Sequence, residues 1–484
     1  MKRIHFSAIV LMAVLLISPM LRTGGSITEI MEDNADNGPL SAGDPGRGSY
    51  DIEITDFGKD LLNLNIRFGD PLIRNMEIDG TAYSVPYFEG STPYGIVSRP
   101  MLPSLSIPLA LPSENSDIQF NVISKKTIDM SPLVPLQPAD PDVTGEIENI
   151  FTVDETYYSQ GGPYPQSNIQ CESGMIGDVP FSMIRITPAT IIEDPSKVLW
   201  MNEIELEIRL EGSDPITISP SSPFLNIYPR IFLNWEEFLP LASIEDVSST
   251  GAELGCEYMI ISHPSLVNSS SRLADWKNQV GIDTKVFDLD QIGYSRESIK
   301  EFIQHAYDTF TPRPSYVLLM GDSDLLPTNY VYGHPYDRYL TGTDLWYSTV
   351  SGYDHFPDLF MGRIPAGDLN QSNMIVDKII KYEKDPPDHS GFYDNVTLAA
   401  YFQDRNNDGY ADRRFAQTSE ETHAFMTSLG YNAERIFFTD SWIDPTNWNL
   451  GTYSNGEPIP PHLQKSSGFG WNGSSADITN AFES

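Results

Sequence analysis

The chain has 484 residues, with 30 Lys and Arg against 67 Asp and Glu, a formal net charge of −37. That charge excludes nucleic acid and anionic membrane as the main partner, because phosphate recognition needs clustered Lys and Arg. A hydrophobic fraction of 40% with 11% aromatic residues is enough for packed cores, and two cysteines, Cys171 and Cys256, are too few for a disulfide-stapled fold or a Cys-rich metal site.

Met1-Lys2-Arg3 precedes an apolar run from Phe6 to Leu21, and small residues from Thr23 to Ser26 follow. A basic start, a short apolar stretch and small residues after it describe a secretory signal peptide over 1–25. The run falls short of the roughly 20 residues that span a bilayer, so translocation is the only membrane contact expected. Residues 26–49, rich in Asp, Asn, Gly and Pro, read as a flexible lead-in.

From 50 to 245 the apolar period is two. Leu62, Leu64, Ile66 and Phe68 alternate with Asn63, Asn65 and Arg67; Ile118, Phe120 and Val122 alternate with Gln119 and Asn121. Ile204, Leu206, Ile208 and Leu210 alternate with Glu205, Glu207 and Arg209. Each run predicts a strand with one wet face, and prolines such as Pro132, Pro135, Pro138 and Pro141 mark long loops. An antiparallel all-β domain follows, a sandwich or open barrel.

After Cys256 the pattern changes to continuous apolar strands alternating with amphipathic helices. Tyr258–Ser262 and Tyr316–Met320 are strands, Val286-Phe287 marks another, and Leu359–Met361 leads into Gly362-Arg363. Ser271–Val280, Ser295–Phe310 and Met374–Glu383 have helical spacing, with Ser295 as an N-cap and Gly281 as a stop. Such alternation builds a parallel sheet covered on both faces, with functional groups at the carboxyl ends of the strands, where Gly321-Asp322 falls. The first α/β subdomain is 256–388. A second unit, 389–484, has the strand Val396–Ala400 and the helix Ser419–Leu429, and it stops in a helix beginning near Ala476. A further strand is expected there, so the second subdomain reads as incomplete.

Chemistry is sparse. Asp404, Asn406, Asp408 and Asp412 place oxygens at alternate positions with Gly409 at the sixth, three-quarters of an EF-hand-type loop. Phe415 stands where the twelfth-position acid belongs, which leaves a later acid such as Glu420 or a weak site. Calcium is the one cofactor this spacing supports, against the alternative of a solvated Asx turn. The histidines show no paired zinc spacing; His355 beside Asp354 and His334 near Asp337 read as structural neighbours. No nucleophile elbow, phosphate loop or dinucleotide fingerprint follows any strand, and Cys256 opens a buried strand rather than closing one.

Three stretches carry a resemblance: Leu273–Gly281, Tyr316–Asp322 with Pro327 after it, and Gly352–Pro365 leading to Lys381-Tyr382-Glu383. In this order and spacing they resemble the gingipain family of cysteine peptidases, peptidase family C25. The resemblance implies a multidomain protein: an N-terminal all-β propeptide-like domain, then an α/β caspase-like domain with a mostly parallel sheet. It implies a secreted, zymogen-type cysteine endopeptidase acting on protein or peptide substrates, with an intramolecular contact between propeptide and catalytic domain. The family's dyad is a histidine in a Gly-His-Gly turn and a cysteine after a later strand. Neither occurs after Cys256, so no catalytic residue is carried over and the chain alone is expected to be inactive. Asp404 and Asp412 lie where the family's second subdomain approaches substrate, which makes them candidates for substrate contact as well as calcium. The rival is a non-catalytic extracellular binding or surface protein on the same scaffold.

Overall fold

A computed structural model describes residues 45–483 except 59–60, 79–80, 114–116, 132–152, 212–215, 220–221, 245–252, 333–339, 389 and 452–453. The signal-peptide segment, most of the lead-in, the prolines from Pro132 to Pro141, and His334, Asp337 and His389 lie outside the described residues. The chain divides into two compact units, one reaching Ile380 and one starting at Lys381.

In the first unit the alternating stretches form strands as expected. β1 (Tyr50–Gly58), β2 (Leu61–Phe68), β7 (Asp117–Asp129), β10 (Ala189–Ile191) and β11 (Val198–Glu211) make one antiparallel sheet. β11 is its centre, pairing with β2 on one side and β7 on the other. Ile204, Leu206 and Ile208 lie opposite Ile66, Leu64 and Leu62, so both strands turn the same alternate residues inward. β5 (Thr92–Tyr94), β6 (Leu102–Ala110), β8 (Ile169–Ile176) and β9 (Val179–Ile186) make a second antiparallel sheet, and β3 (Leu72–Ile78) pairs with β4 (Thr81–Tyr87) as a hairpin. One core joins Leu64 and Leu206 of the first sheet to Leu105, Ile107, Ile184 and Ile186 of the second, which makes the region a sandwich. Trp200 is fully buried there; Phe68 and Phe88 meet its ring edge-on, and its indole N–H donates to the Gly69 carbonyl at 3.0 Å.

Four parallel strands follow: β12 (Tyr258–Ser262), β13 (Thr284–Asp288), β14 (Tyr316–Met320) and β15 (Phe360–Ile364), in the spatial order β13-β12-β14-β15. Alternate residues of the apolar strands face two different layers. Met259, Ile261, Val317 and Leu319 pack against Ile299, Ile303 and Ala306 of helix α2 (Arg296–Thr309). Ile260, Leu318 and Met320 pack against Leu273 of α1 (Val267–Gln279) and Val376 of α3 (Leu369–Lys384). This is why these strands carry no polar alternation: both faces are covered. The Ser295 hydroxyl caps α2 by accepting from the Ser298 N–H.

The β-region and this α/β region share a third core. Phe181 of β9, Phe224, Tyr228, Phe232 and Trp235 cluster with Phe356 and Phe360 beside them. β9 therefore serves two cores, Ile184 and Ile186 facing the sandwich and Val179 and Phe181 the junction.

The second unit holds a parallel pair, β16 (Asn395–Tyr401) and β17 (Asn432–Phe438), covered on one face by α4 (Phe415–Ser428), and it reaches α5 (Ser475–Glu483). Its core gathers Phe402, Phe437, Ile443, Trp448, Leu463 and Trp471.

Candidate functional sites at the strand ends and the junction

In the first unit the strand order reverses between β12 and β14, and an open parallel sheet offers its crevice at the carboxyl ends flanking such a point. His263 and Gly321-Asp322 stand there; the His263 N–H donates to the Met320 carbonyl at 3.1 Å. Nδ1 of His263 lies 2.7 Å from the Ser265 hydroxyl and accepts from the Ser265 N–H, which places the ring proton on Nε2. Gly321 has φ +145°, and an added Cβ would come within 3.3 Å of Leu326 Cβ, so glycine permits the loop to fold back.

That loop is held by Arg363 of β15. Its guanidinium donates to both carboxylate oxygens of Asp344 at 2.7 and 2.8 Å, to the Gly321 and Leu326 carbonyls at 2.8 Å, and to the Pro327 carbonyl at 3.3 Å. One planar fork thus ties a strand, a loop and Asp344, which a point-like ammonium could not do. The sequence shows Gly362-Arg363 as part of the stretch Gly352–Pro365, but not what the arginine grips.

Neither cysteine is placed as a nucleophile. Cys256 is fully buried ahead of β12, at the opposite end of the sheet, and burial pushes its thiol up to about 12. Cys171 is exposed on β8 of the sandwich.

The junction holds a second polar site that sequence reasoning missed. The turn between β8 and β9 inserts its backbone into the α/β region. Asp354 accepts from the Met175 N–H at 2.8 Å and, through its other oxygen, from the Phe356 N–H at 2.7 Å. Asp358, 1% exposed, accepts from the Gly177 N–H at 3.1 Å and from the Val350 and Ser351 N–H groups at 2.8 and 2.7 Å. The Tyr307 hydroxyl donates to the Gly177 carbonyl at 3.2 Å, and Arg313 pairs with Asp178 at 2.7 Å. Gly177 has φ +58°, and a Cβ there would come within 2.7 Å of the Tyr228 hydroxyl, so only glycine fits the seat. Asp354 and Asp358 belong to the motif stretch Gly352–Pro365, but nothing in their spacing shows that their partners lie some 180 residues earlier (|i−j| 179 and 181). His355 is exposed, and the carboxylate of its neighbour Asp354 serves backbone donors instead.

In the second unit the loop Asp404–Asp412 is closed on itself. Asp404, 3% exposed, accepts from the Asp408 and Gly409 N–H groups at 3.2 and 2.9 Å. Asp412 accepts from the Arg405 N–H, Asp408 from the Tyr410 N–H, and the Asn406 amide donates to Asp408. Gly409 sits at φ +86° with Thr446 Oγ1 2.3 Å from an added Cβ, so the glycine serves the tight turn read from the sequence. Among the described residues no three acidic, histidine or cysteine side chains converge as a metal cluster. Glu420 does not complete the loop; its carboxylate takes a two-point contact from Arg435 at 2.6 and 2.8 Å and lies 3.1 Å from His462 Nε2. Phe415, at the twelfth position, is 53% exposed at the start of α4.

Residues 252–483 match the family described as Peptidase family C25. Lys-gingipain of Porphyromonas gingivalis is 22% identical over 411 residues, covering 81% of this chain and 23% of that one. Gingipain R2 of the same organism is 23% identical over 317 residues, covering 62% of this chain and 40% of its own. Among solved structures, the one described as "Complex of Porphyromonas gingivalis RgpB pro- and mature domains" aligns at 21% identity and TM-score 0.33, over 38% of this chain and 97% of that chain. Residues 252–483 are thus gingipain-like and similar to peptidase family C25, as the ordered motifs lead one to expect, and the chain spans under a quarter of the length of the Lys-gingipain it matches. The family is one of cysteine peptidases.

Proposed function

We propose that the chain belongs to a secreted cysteine endopeptidase of the gingipain type, made as a zymogen in which the β-region is the propeptide and the α/β regions are caspase-like. The observation that carries this reading is the match over 252–483 together with the seating of the β8–β9 turn in the α/β region. A sandwich anchored by backbone hydrogen bonds and an aromatic core is what a covalently attached inhibitor domain needs, since the linked partner is held at high effective concentration. The basic, apolar and small-residue pattern of 1–25 supports export. Among the described residues no helix is long and apolar enough to cross a membrane. Substrates are proteins or peptides, and the formal net charge of −37 offers nucleic acid nothing to bind.

With Cys256 buried and Cys171 on the sandwich, these residues by themselves are expected to show no cysteine-peptidase activity. Two measurements test the reading: peptidase assays on the 484-residue protein, and reading the coding DNA past the Ser484 codon. Gly-His-Gly followed by a strand ending in cysteine supports the peptidase, with activity in the longer product and none in this one. A stop codon there removes it, and cleavage by the 484 residues alone overturns the placing of the catalytic pair beyond them. The stop codon would favour the non-catalytic scaffold.

Calcium binding by Asp404, Asn406, Asp408 and Asp412 is the part of the proposal that rests on spacing alone. Ligand that binds the folded state raises Tm by mass action. A rise of Tm in millimolar calcium, abolished by Asp408→Asn, supports the site; an unchanged Tm leaves the loop as a self-closed Asx turn, and Asp404 and Asp412 with no ligand.

A further inference from the structure

The first sheet of the sandwich has a free strand at each edge, and the two edges are complementary. β1, β2, β11 and β7 lie side by side in that order, each antiparallel to the next. Among the described residues no strand pairs with the outer edge of β1 or of β7. Register places Asp51, Arg67, Glu203 and Lys126 in one row across these strands, negative and positive in alternation. Asp51 pairs with Arg67 and Glu203 with Lys126, so two ion pairs fill the row. Its ends are the wet positions: the Lys126 side chain is 67% exposed at the β7 edge and that of Asp51 50% exposed at the β1 edge. We propose that copies of this chain join head to tail, β7 of one pairing with β1 of the next, so that the sheet and its charge row continue through the assembly.

Strand direction and register both permit the joint. β1 and β11 run one way and β2 and β7 the other, so a β1 strand laid beside β7 by simple translation is again antiparallel. Setting Asp51 opposite Lys126 fixes the remaining pairs. Against its own neighbour β1 skips Thr55 and β7 skips Ile123, one bulge on each strand. With both left out, Ser124 meets Glu53, Val122 meets Ile54 and Phe120 meets Phe57. Ile54, Phe57 and Phe120 all pack against the sandwich core, so apolar side chains meet on the inner side. Val122 is 46% exposed although it pairs with the fully buried Leu206, and the joint covers it. On the outer side the facing residues are polar, and Ser124 already donates to Glu205 at 3.2 Å.

An inward-pointing lysine often guards an edge strand against such pairing. Lys125, opposite Ile204, has that position, but Asn168 of the same copy holds its ammonium at 2.9 Å. The larger obstacle is charge. Each copy carries a formal net charge of −37, so long-range repulsion opposes assembly in dilute salt. At 0.15 M salt charges farther apart than about 8 Å are largely screened, whereas Lys126 and Asp51 meet at contact distance across the joint. Assembly is therefore expected to strengthen from low to moderate salt. Because β7 and β1 are different surfaces, one contact leaves a free edge at each end of the pair. Growth then continues to rings or open chains and does not stop at two copies.

The test is analytical ultracentrifugation of the full chain between roughly 1 and 100 μM, in about 0.02 M and about 0.3 M NaCl. Species larger than a dimer are expected to grow with concentration, and more so at the higher salt. Lys126→Glu sets like charges face to face across the joint and should lower the association constant at least about tenfold, as should Asp51→Lys. The double variant exchanges the ends of the row and should regain association, which separates a lost contact from a lost fold. A wild-type monomer throughout overturns the proposal, and so does a dimer that grows no further. Association that is unchanged in Lys126→Glu, or a double variant that folds by circular dichroism and stays monomeric, overturns it too. None of these readouts depends on cleavage of a peptide.

Discussion

Arg363→Ala is expected to lower stability by about 3–5 kcal/mol, the range for removing one partner of a buried hydrogen-bonded ion pair. The side chains of Arg363 and Asp344 are 13% and 23% exposed, so the orphaned carboxylate stays largely out of water. Three carbonyls, of Gly321, Leu326 and Pro327, lose their donor as well. In thermal unfolding followed by circular dichroism this corresponds to a fall in Tm of about 6–10 °C. Arg363→Lys should recover only a minor part, because an ammonium cannot face Asp344 with two parallel N–H groups. If Arg363→Ala stays within about 1 kcal/mol of wild type, the strand-end loop holds itself and the clamp is incidental.

Phe181→Ala should cost about 3–5 kcal/mol in denaturant unfolding, because it opens a cavity in a fully closed site. The ring meets Phe356 edge-on at 4.7 Å and lies 5.8 Å from Phe232, so the void falls between the β-region and the α/β region. Phe181→Leu keeps most of the volume and should cost below about 1.5 kcal/mol. The position of the void matters more than its size: exchange at the Met175 and Gly177 amides should quicken in Phe181→Ala, since the aromatic contact presses the turn onto Asp354 and Asp358. A large loss of stability with those amides still protected would separate the junction core from the polar seat.

Much of this architecture is written in short-range pattern. The alternation of Leu62, Leu64 and Ile66 with asparagines defines a one-sided strand because a strand has only two faces, and the structure buries just those residues. The unbroken apolar run Tyr258–Ser262 announces a strand covered on both faces for the same reason. Ser295 and Gly409 were legible because a cap and a tight turn are local chemistry, satisfied within a few residues. Helix bounds shifted outward, α3 beginning at Leu369 rather than Met374, where polar first-turn residues carry no apolar period.

The sites were less legible, because their partners are far apart in the chain. The spacing marks Asp404 as a candidate ligand, and only the closed turn shows that its oxygens also accept from the Asp408 and Gly409 N–H groups. Glu420, a completing acid by position, contacts Arg435 of β17 and His462 instead. By itself the sequence determined the two kinds of sheet, their order along the chain, the excess of negative charge and the family resemblance, since periodicity, composition and ordered motifs are properties of neighbours in sequence. Only the tertiary structure decided that Arg363 ties down the strand-end loop and that Asp354 and Asp358 grip a hairpin turn from the other region. Hydrogen bonds and desolvation act over a few ångströms of space, whatever the separation along the chain.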